Sequence, residues 1–136
     1  MLVHTTNYVN TFIEVASDCK AAEGAPPPEK QAKTIARMQY ELIGANPYAY
    51  TSDDLVFTVY AERAGLAAAE REFKRAEFFS KGQPCLRSSP LAKTYGWGIH
   101  FDGEGKIALY PRGSADYERL CGDSSLQHLK AMRSAR

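Results

Sequence analysis

Apolar residues recur at helical spacing in two stretches of the chain, and each stretch predicts a helix. The first begins after Thr34, which can cap it, and ends near Gly44. Its apolar face consists of Ile35, Met38, Leu42 and Ile43. The second runs from Leu66 to Lys81, where Ala, Glu, Arg and Lys dominate and apolar residues return every three or four positions. Both helices therefore have one face suited to a protein core.

A different pattern, alternation of apolar and polar residues, predicts a β-hairpin over residues 95–110. The Asp-Gly-Glu-Gly sequence at 102–105 supplies its turn. The residues on one face of its first strand are Trp97, Ile99 and Phe101. Residues 11–16, with several β-branched and aromatic side chains, predict another strand. Residues 85–91 are predicted to be extended, because two prolines at the ends of this segment disfavour helix before them.

Residues 55–64 fit two different structures. Thr51, Ser52 and the acids at 53 and 54 suit the start of a helix. Alternation of apolar residues at 55, 57 and 59 suits a strand nearly as well. The pattern favours the helix and leaves the strand open.

The C-terminal part of the chain predicts two further helices. Ser114 can cap a short one that ends at Gly122. Asp123 or Ser124 can begin the last one, whose basic residues suit the C-terminal end of a helix dipole. Its inward residues would be Leu126, Leu129 and Met132.

These elements together predict an α+β fold in one domain spanning residues 1–136. We expect a small antiparallel sheet around the 95–110 hairpin, joined by the 11–16 strand and by residues 85–91, with the helices packed on one face. A proline-rich loop at 21–33 connects the first strand to the first helix. The composition, 44% hydrophobic and 24% charged, is that of a folded protein.

The cysteines and the apolar segments indicate a cytoplasmic protein. Cys19, Cys85 and Cys121 are widely spaced and form no C-x-x-C pair, which argues against a disulfide framework and favours reduced thiols. The start of the chain lacks the features of a secretory signal. The longest apolar run, Leu55 to Ala61, is far too short to span a bilayer, so no membrane association is expected.

Four sequence strings are distinctive together: HTTNYVNTFIEVASDC, NPYAYTSDD, FFSKGQPCLRSSPLAKTYGWGIHFD and KAMRSAR. With these strings, the chain resembles an uncharacterised family of small bacterial proteins that is catalogued only as a domain of unknown function. The resemblance implies a compact bacterial cytosolic protein. It implies no reaction, ligand or cofactor, so no residue role is carried over from it.

The segment from Ser80 to His100 holds the densest chemistry, and its basic residues favour anion binding. The cations Lys81, Arg87 and Lys93, with the hydroxyls of Ser88 and Ser89, could hold a phosphate or carboxylate through charge-assisted hydrogen bonds. Trp97 on the hairpin would complete the surface. The leading hypothesis is therefore a non-catalytic domain that binds a small anionic ligand or a partner, and a second copy of the chain is one such partner.

Two alternatives remain open. In the first, the protein is a small enzyme in which Cys85 is the nucleophile and His100 or His4 is the base. In the second, Trp97 and its aromatic neighbours stack on single-stranded nucleic acid. A pI near 7.7 argues against a dominant phosphate-binding surface, so nucleic acid is the weaker alternative.

The three histidines do not predict a metal site. His4, His100 and His128 are scattered along the chain, without the spacing of known zinc motifs. Asp102 and Glu104 lie in a glycine-containing turn that lacks the ligand count of a calcium loop. The sequence therefore predicts no metal ligand and no cofactor.

Overall fold

The computed structural model describes residues 3–134 and confirms the α+β fold. The strands are β1 (Thr11–Glu14), β2 (Trp97–Phe101), β3 (Ile107–Pro111) and β4 (Gln127–Lys130). The helices are α1 (Ile35–Ala45), α2 (Ser52–Ala64), α3 (Ala68–Phe78), α4 (Pro90–Lys93) and α5 (Ala115–Cys121). None of the described helices is long and apolar enough to cross a membrane.

The four strands form one sheet in the order β3-β2-β1-β4. β2 runs antiparallel to both β1 and β3, which confirms the predicted hairpin. β4 runs parallel to β1. The sheet is therefore mixed, and the prediction of a purely antiparallel sheet was wrong.

β4 occupies the segment for which the sequence predicted the last helix. Its backbone is held to β1 at both ends, because Gln127 N–H donates to Asn10 O at 2.8 Å and Ala131 N–H donates to Glu14 O at 2.9 Å. The Leu129 side chain packs towards the core, whereas His128 and Lys130 on either side of it are exposed. A strand of four residues is too short to show a clear alternation, so only tertiary pairing reveals it.

The segment 85–91 is not a strand of the sheet either. Residues Leu86–Ser88 form a single 3-10 turn, and Ser89 caps α4 by accepting a hydrogen bond from Leu91 N–H at 3.2 Å. Pro90 stands at the first helical position, where its missing N–H costs nothing. The prolines that predicted extended structure therefore mark a helix start.

Residues 52–64 are helical, as the sequence pattern over 55–64 favoured. Thr51 Oγ1 accepts from Asp54 N–H at 3.1 Å, and Asp54 Oδ2 accepts from Thr51 N–H at 3.2 Å, which is a capping box. Burial raises the pKa of Asp54, but these hydrogen bonds and the Arg75 guanidinium at 2.9 Å outweigh it, so the pKa lies below its ordinary value. The carboxylate is thus charged where the helix dipole favours a negative charge.

The core lies on both faces of the sheet. On one face, buried residues of the sheet pack against α1, α2 and α4; they include Ile13, Ile99, Phe101, Ile43, Leu55 and Leu91. On the other face, Phe12 packs against Tyr117 and Leu120 of α5. The predicted one-sided arrangement of helices was therefore wrong for α5.

Residues 5–7, which we call the N-terminal strap, are bound to the start of α2. Thr6 Oγ1 contacts Ser52 Oγ at 2.7 Å and donates to Asp53 Oδ1 at 2.8 Å. Thr5 Oγ1 donates to Asp53 Oδ2 at 2.7 Å, and Asp53 N–H donates to Asn7 Oδ1 at 2.9 Å. The polar side chains of the N-terminal strap and of the start of α2 are hydrogen-bonded to each other. These residues therefore have a structural role.

Candidate functional site

A cavity of about 410 Å³, which we call the α1–α2 cavity, lies between α1, α2 and residues 84–90. Its lining is mostly apolar and includes Ile35, Val56, Val59, Phe78 and Leu86. The volume falls in the usual range for small-molecule sites, roughly 300–1,000 Å³. The site could thus accept a small ligand with an apolar body.

Polar side chains reach this cavity from three directions. Ser89 Oγ donates to Gln39 Oε1 at 2.6 Å, and both residues are buried. Ser88 Oγ donates to Cys85 O at 2.8 Å on the neighbouring turn. Arg63 lines the cavity from the last turn of α2, is exposed, and has no acidic partner among residues 3–134. The cavity therefore combines apolar walls with a cation that is available to an anion.

Cys85 is in contact with a tyrosine from the opposite end of the sequence. Tyr8 OH donates to Cys85 Sγ at 3.4 Å, and its ring stands edge-on to Phe101 at 5.4 Å between centroids. Burial, together with the hydrogen bond to Cys85, raises the pKa of Tyr8 to about 12. The phenol stays protonated near neutral pH, so it can serve as a hydrogen-bond donor to sulfur.

The other residues of the predicted anion site are dispersed. Arg87 Nε donates to Lys130 O at 2.9 Å, and its own carbonyl accepts from Met132 N–H at 2.8 Å, so this residue ties the 84–89 segment to β4. Lys93 lines a separate cavity of about 360 Å³, and Lys81 is exposed in the turn after α3. Of the residues predicted to hold the anion, only Ser88 and Ser89 line the α1–α2 cavity.

His100 lies on the opposite face of the sheet from this cavity. It alternates along β2 with Ile99 and Phe101, which belong to the core under α1 and α2. Its Nδ1 shares a hydrogen bond of 2.8 Å with Tyr48 OH, which in turn contacts Tyr110 OH at 2.6 Å. Burial lowers the pKa of His100, although Asp102 opposes the effect. The sheet separates this imidazole from Cys85, so the two cannot act as a nucleophile and its base.

The other proposed base, His4, lies beside the end of α3, where its backbone N–H donates to Phe79 O at 2.9 Å. Phe101 is fully buried, which removes it from any surface that could stack on nucleic acid. Trp97 lines a third cavity with Tyr40, away from the α1–α2 cavity. Within residues 3–134, no three His, Cys, Asp or Glu side chains are grouped closely enough to hold a metal ion.

Sequence reasoning missed Gln39, Arg63 and Tyr8. Gln39 did carry a signal, because it lies four residues after Ile35 and four before Ile43, on the apolar face of α1. A polar residue in that position must find a buried partner, and Ser89 supplies it. Arg63 and Tyr8 carried no local signal, since their roles depend on segments distant in the sequence.

A family model described as a family of unknown function, DUF6157, matches residues 3–136. The chain belongs to the DUF6157 family. No curated protein and no solved structure matches it. A functional hypothesis for this DUF6157 protein therefore rests on the geometry of its own cavities and side chains.

Proposed function

We propose that this protein binds a small ligand with an apolar body and an anionic head group in the α1–α2 cavity, without catalysing a reaction. The observation that carries the proposal is the cavity itself, of about 410 Å³, with mainly apolar walls and few polar groups. Such a combination is typical of ligand sites, in which apolar contact supplies affinity and a few polar groups fix orientation.

The charge at the cavity supports an anionic head group. Arg63 lines it and has no acidic partner among the described residues, so its guanidinium is free to form a paired hydrogen bond with a carboxylate. Val56 and Val59, on the same helix, offer apolar surface for a hydrocarbon body. A medium-chain carboxylate is the simplest compound with both features.

Octanoate is therefore expected to raise the melting temperature of the protein, and 1-octanol to raise it less. Arg63→Gln should weaken octanoate binding a few-fold, because the ion pair of an exposed arginine contributes roughly 0.2–1 kcal/mol, while octanol binding stays the same. Isothermal titration calorimetry measures both affinities. Arg119→Gln, which removes an exposed arginine of α5, is the matched control and should change neither.

A second variant tests the location. Ser88→Phe places a ring at the cavity lining and should abolish binding of both compounds. If neither compound binds, or if both still bind Ser88→Phe normally, the proposed site is wrong. If octanoate and octanol bind equally and Arg63→Gln has no effect, the proposal that the ligand has an anionic head group is wrong.

A cytoplasmic, bacterial setting is part of the same proposal. Cys19, Cys85 and Cys121 are all free thiols, which suits a reducing compartment. A soluble metabolite of the cytoplasm is then the natural source of the ligand.

The Tyr8 hydrogen bond favours a second candidate function, in which Cys85 is a nucleophile in the same cavity. Tyr8 OH donates to Cys85 Sγ and can hold this sulfur in position at the cavity lining. Cys121 provides an internal reference, because burial and the nearby Glu14 and Glu118 raise its pKa to about 11. Its thiolate is therefore scarce at neutral pH.

For a nucleophilic Cys85, iodoacetamide at pH 7 should modify Cys85 at least about tenfold faster than Cys121. Tyr8→Phe should reduce the Cys85 rate and leave the Cys121 rate unchanged. Mass spectrometry of peptides resolves the two rates. Equal rates at the two cysteines would exclude the nucleophile and leave the binding function.

A further inference from the structure

A larger cavity, of about 610 Å³, lies along the outer edge of β3, and we call it the β3-edge cavity. One wall is the C-terminal half of α1, including Tyr40 and Gly44. The other wall is formed by Trp97 and by three consecutive residues of β3, 108–110. Because β3 is the terminal strand of the sheet, its backbone edge borders this cavity.

The hydrogen bonds of β3 show which backbone groups face outward. Ile107 N–H donates to Tyr50 O at 2.9 Å, and Ile107 O accepts from Tyr48 N–H at 2.8 Å. The backbone N–H and C=O of Ile107 therefore point away from β2. In an antiparallel ladder this direction alternates, and Leu109 therefore also points its N–H and C=O away from β2. The Leu109 side chain packs against the core, which leaves its backbone to face the cavity.

This edge offers one donor and one acceptor. Pro111, the next outward residue, has no N–H, and its carbonyl accepts from Ser114 N–H at 3.1 Å. Leu109 N–H and C=O have no hydrogen-bonding partner among residues 3–134. A single pair is too short to recruit an added strand, which needs a row of open groups. It suits a compact ligand that carries an adjacent donor and acceptor on one edge.

Two aromatic rings provide part of the lining. The rings of Tyr40 and Trp97 are 5.5 Å apart between centroids. Trp97 Nε1 donates to Ala25 O at 2.8 Å, which fixes the indole. The Tyr110 ring lies on the other face of the sheet, where its OH is bonded to Tyr48 OH, so it adds no ring to this cavity. The apolar surface of the Tyr40 and Trp97 rings favours a planar aromatic ligand.

The charges around this cavity do not favour a phosphate. None of the described residues that line it is basic. Its one acid, Glu41, forms ion pairs with Lys33 and Arg37, each at 2.6 Å. Hydrogen bonds from Lys33 and Arg37 lower the pKa of Glu41, so its charge is present and already neutralised. A neutral ligand fits this environment better than an anion.

We propose that the β3-edge cavity binds a neutral, planar heteroaromatic compound of the nucleobase type, whose donor–acceptor edge pairs with the Leu109 backbone. Adenine has such an edge, an amino donor beside a ring-nitrogen acceptor. N6,N6-dimethyladenine keeps the ring but lacks the amino donor, and both compounds are used as their 9-methyl derivatives, so that no ring N–H can replace it. The site is separate from the α1–α2 cavity and does not depend on the function proposed for it.

The test is a titration of the ¹⁵N-labelled protein with adenine and with N6,N6-dimethyladenine. Adenine should shift the Leu109 amide resonance towards lower field and bind about tenfold more tightly than the dimethyl compound. Equal affinities, or an unshifted Leu109 amide, would overturn the proposed pairing. Tighter binding of a single-stranded oligonucleotide than of adenine, weakened by salt, would replace it with nucleic-acid binding.

Two substitutions locate the ligand. Ala69→Phe adds a ring at an exposed position of α3, outside the β3-edge cavity, and should bind adenine like the parent. Gly44→Phe adds a ring at the cavity lining and should abolish adenine binding while octanoate binding is retained. Adenine binding that survives Gly44→Phe would place the ligand elsewhere and contradict the proposal.

Discussion

Replacing Phe101 with alanine is expected to lower the free energy of unfolding by about 3–5 kcal/mol. Phe101 is 0% exposed, is the last residue of β2, belongs to the larger core cluster, and is contacted edge-on by Tyr8. Truncation removes the burial of a large aromatic side chain and leaves a space that the sheet and helices cannot fill. Urea denaturation followed by circular dichroism measures the loss.

Phe73→Ala is the matched control for this change. Phe73 lies on α3 and is 71% exposed, so its truncation should alter the free energy of unfolding by no more than about 0.5 kcal/mol. In the sequence both residues belong to regular apolar patterns, and only burial distinguishes them. Similar losses for the two variants would contradict the placement of Phe101 in the core.

Gly96→Ala is the second substitution with a large expected effect: it should lower the free energy of unfolding by about 2 kcal/mol or more. Gly96 has φ of +80°, a conformation that costs roughly 1–2 kcal/mol for residues with a side chain. In addition, an added Cβ would lie 2.6 Å from the Glu23 carbonyl oxygen, which belongs to the backbone and cannot move without displacing the 21–33 loop. The same denaturation experiment measures this loss.

Gly44→Ala separates a steric effect from a general effect of glycine replacement. Gly44 lies in the last turn of α1, and an added Cβ meets no atom within 4 Å. Alanine is the better helix former, so this variant should gain about 0.5–1 kcal/mol. If Gly44→Ala lowered the free energy of unfolding as much as Gly96→Ala does, the close contact with Glu23 would not be the reason that residue 96 must be glycine.

The elements that the sequence predicted correctly carry their own local information. α2 begins at a capping box built from Thr51 and Asp54, and α1 begins at Thr34, which accepts from Arg37 N–H. The hairpin has alternating core residues and a glycine turn within one short stretch. Each of these features acts between residues that are neighbours in the chain, so the sequence alone reveals it.

The two elements that were predicted wrongly failed for different reasons. β4 contains one inward residue, Leu129, and becomes a strand because β1 lies beside it, so pairing across the fold overrides the local preference. The cap on α4 is local, because Ser89 accepts from Leu91 N–H and Pro90 stands at the first helical position. In that segment the sequence carried a helix-start signal, and the prolines were misread as marks of an extended chain.

The candidate sites show the same limit. The thiol and hydroxyls of the 80–90 loop were visible in the sequence, and Cys85 and Ser88 do line a cavity. Arg63 and Gln39 reach that cavity from other helices, and the open backbone pair of Leu109 has no side-chain signature at all. Residue types can suggest chemistry, but a cavity exists only after the elements have packed.

The position of β1 at the centre of the sheet affects how the protein folds during synthesis. β1 ends at Glu14, while its neighbours β2 and β4 begin only at Trp97 and Gln127. At about 5–20 residues per second, the ribosome needs several seconds to supply the first of them. During this interval Phe12 and Ile13 have no sheet to join, so the nascent chain displays an unpaired apolar segment that chaperones can bind.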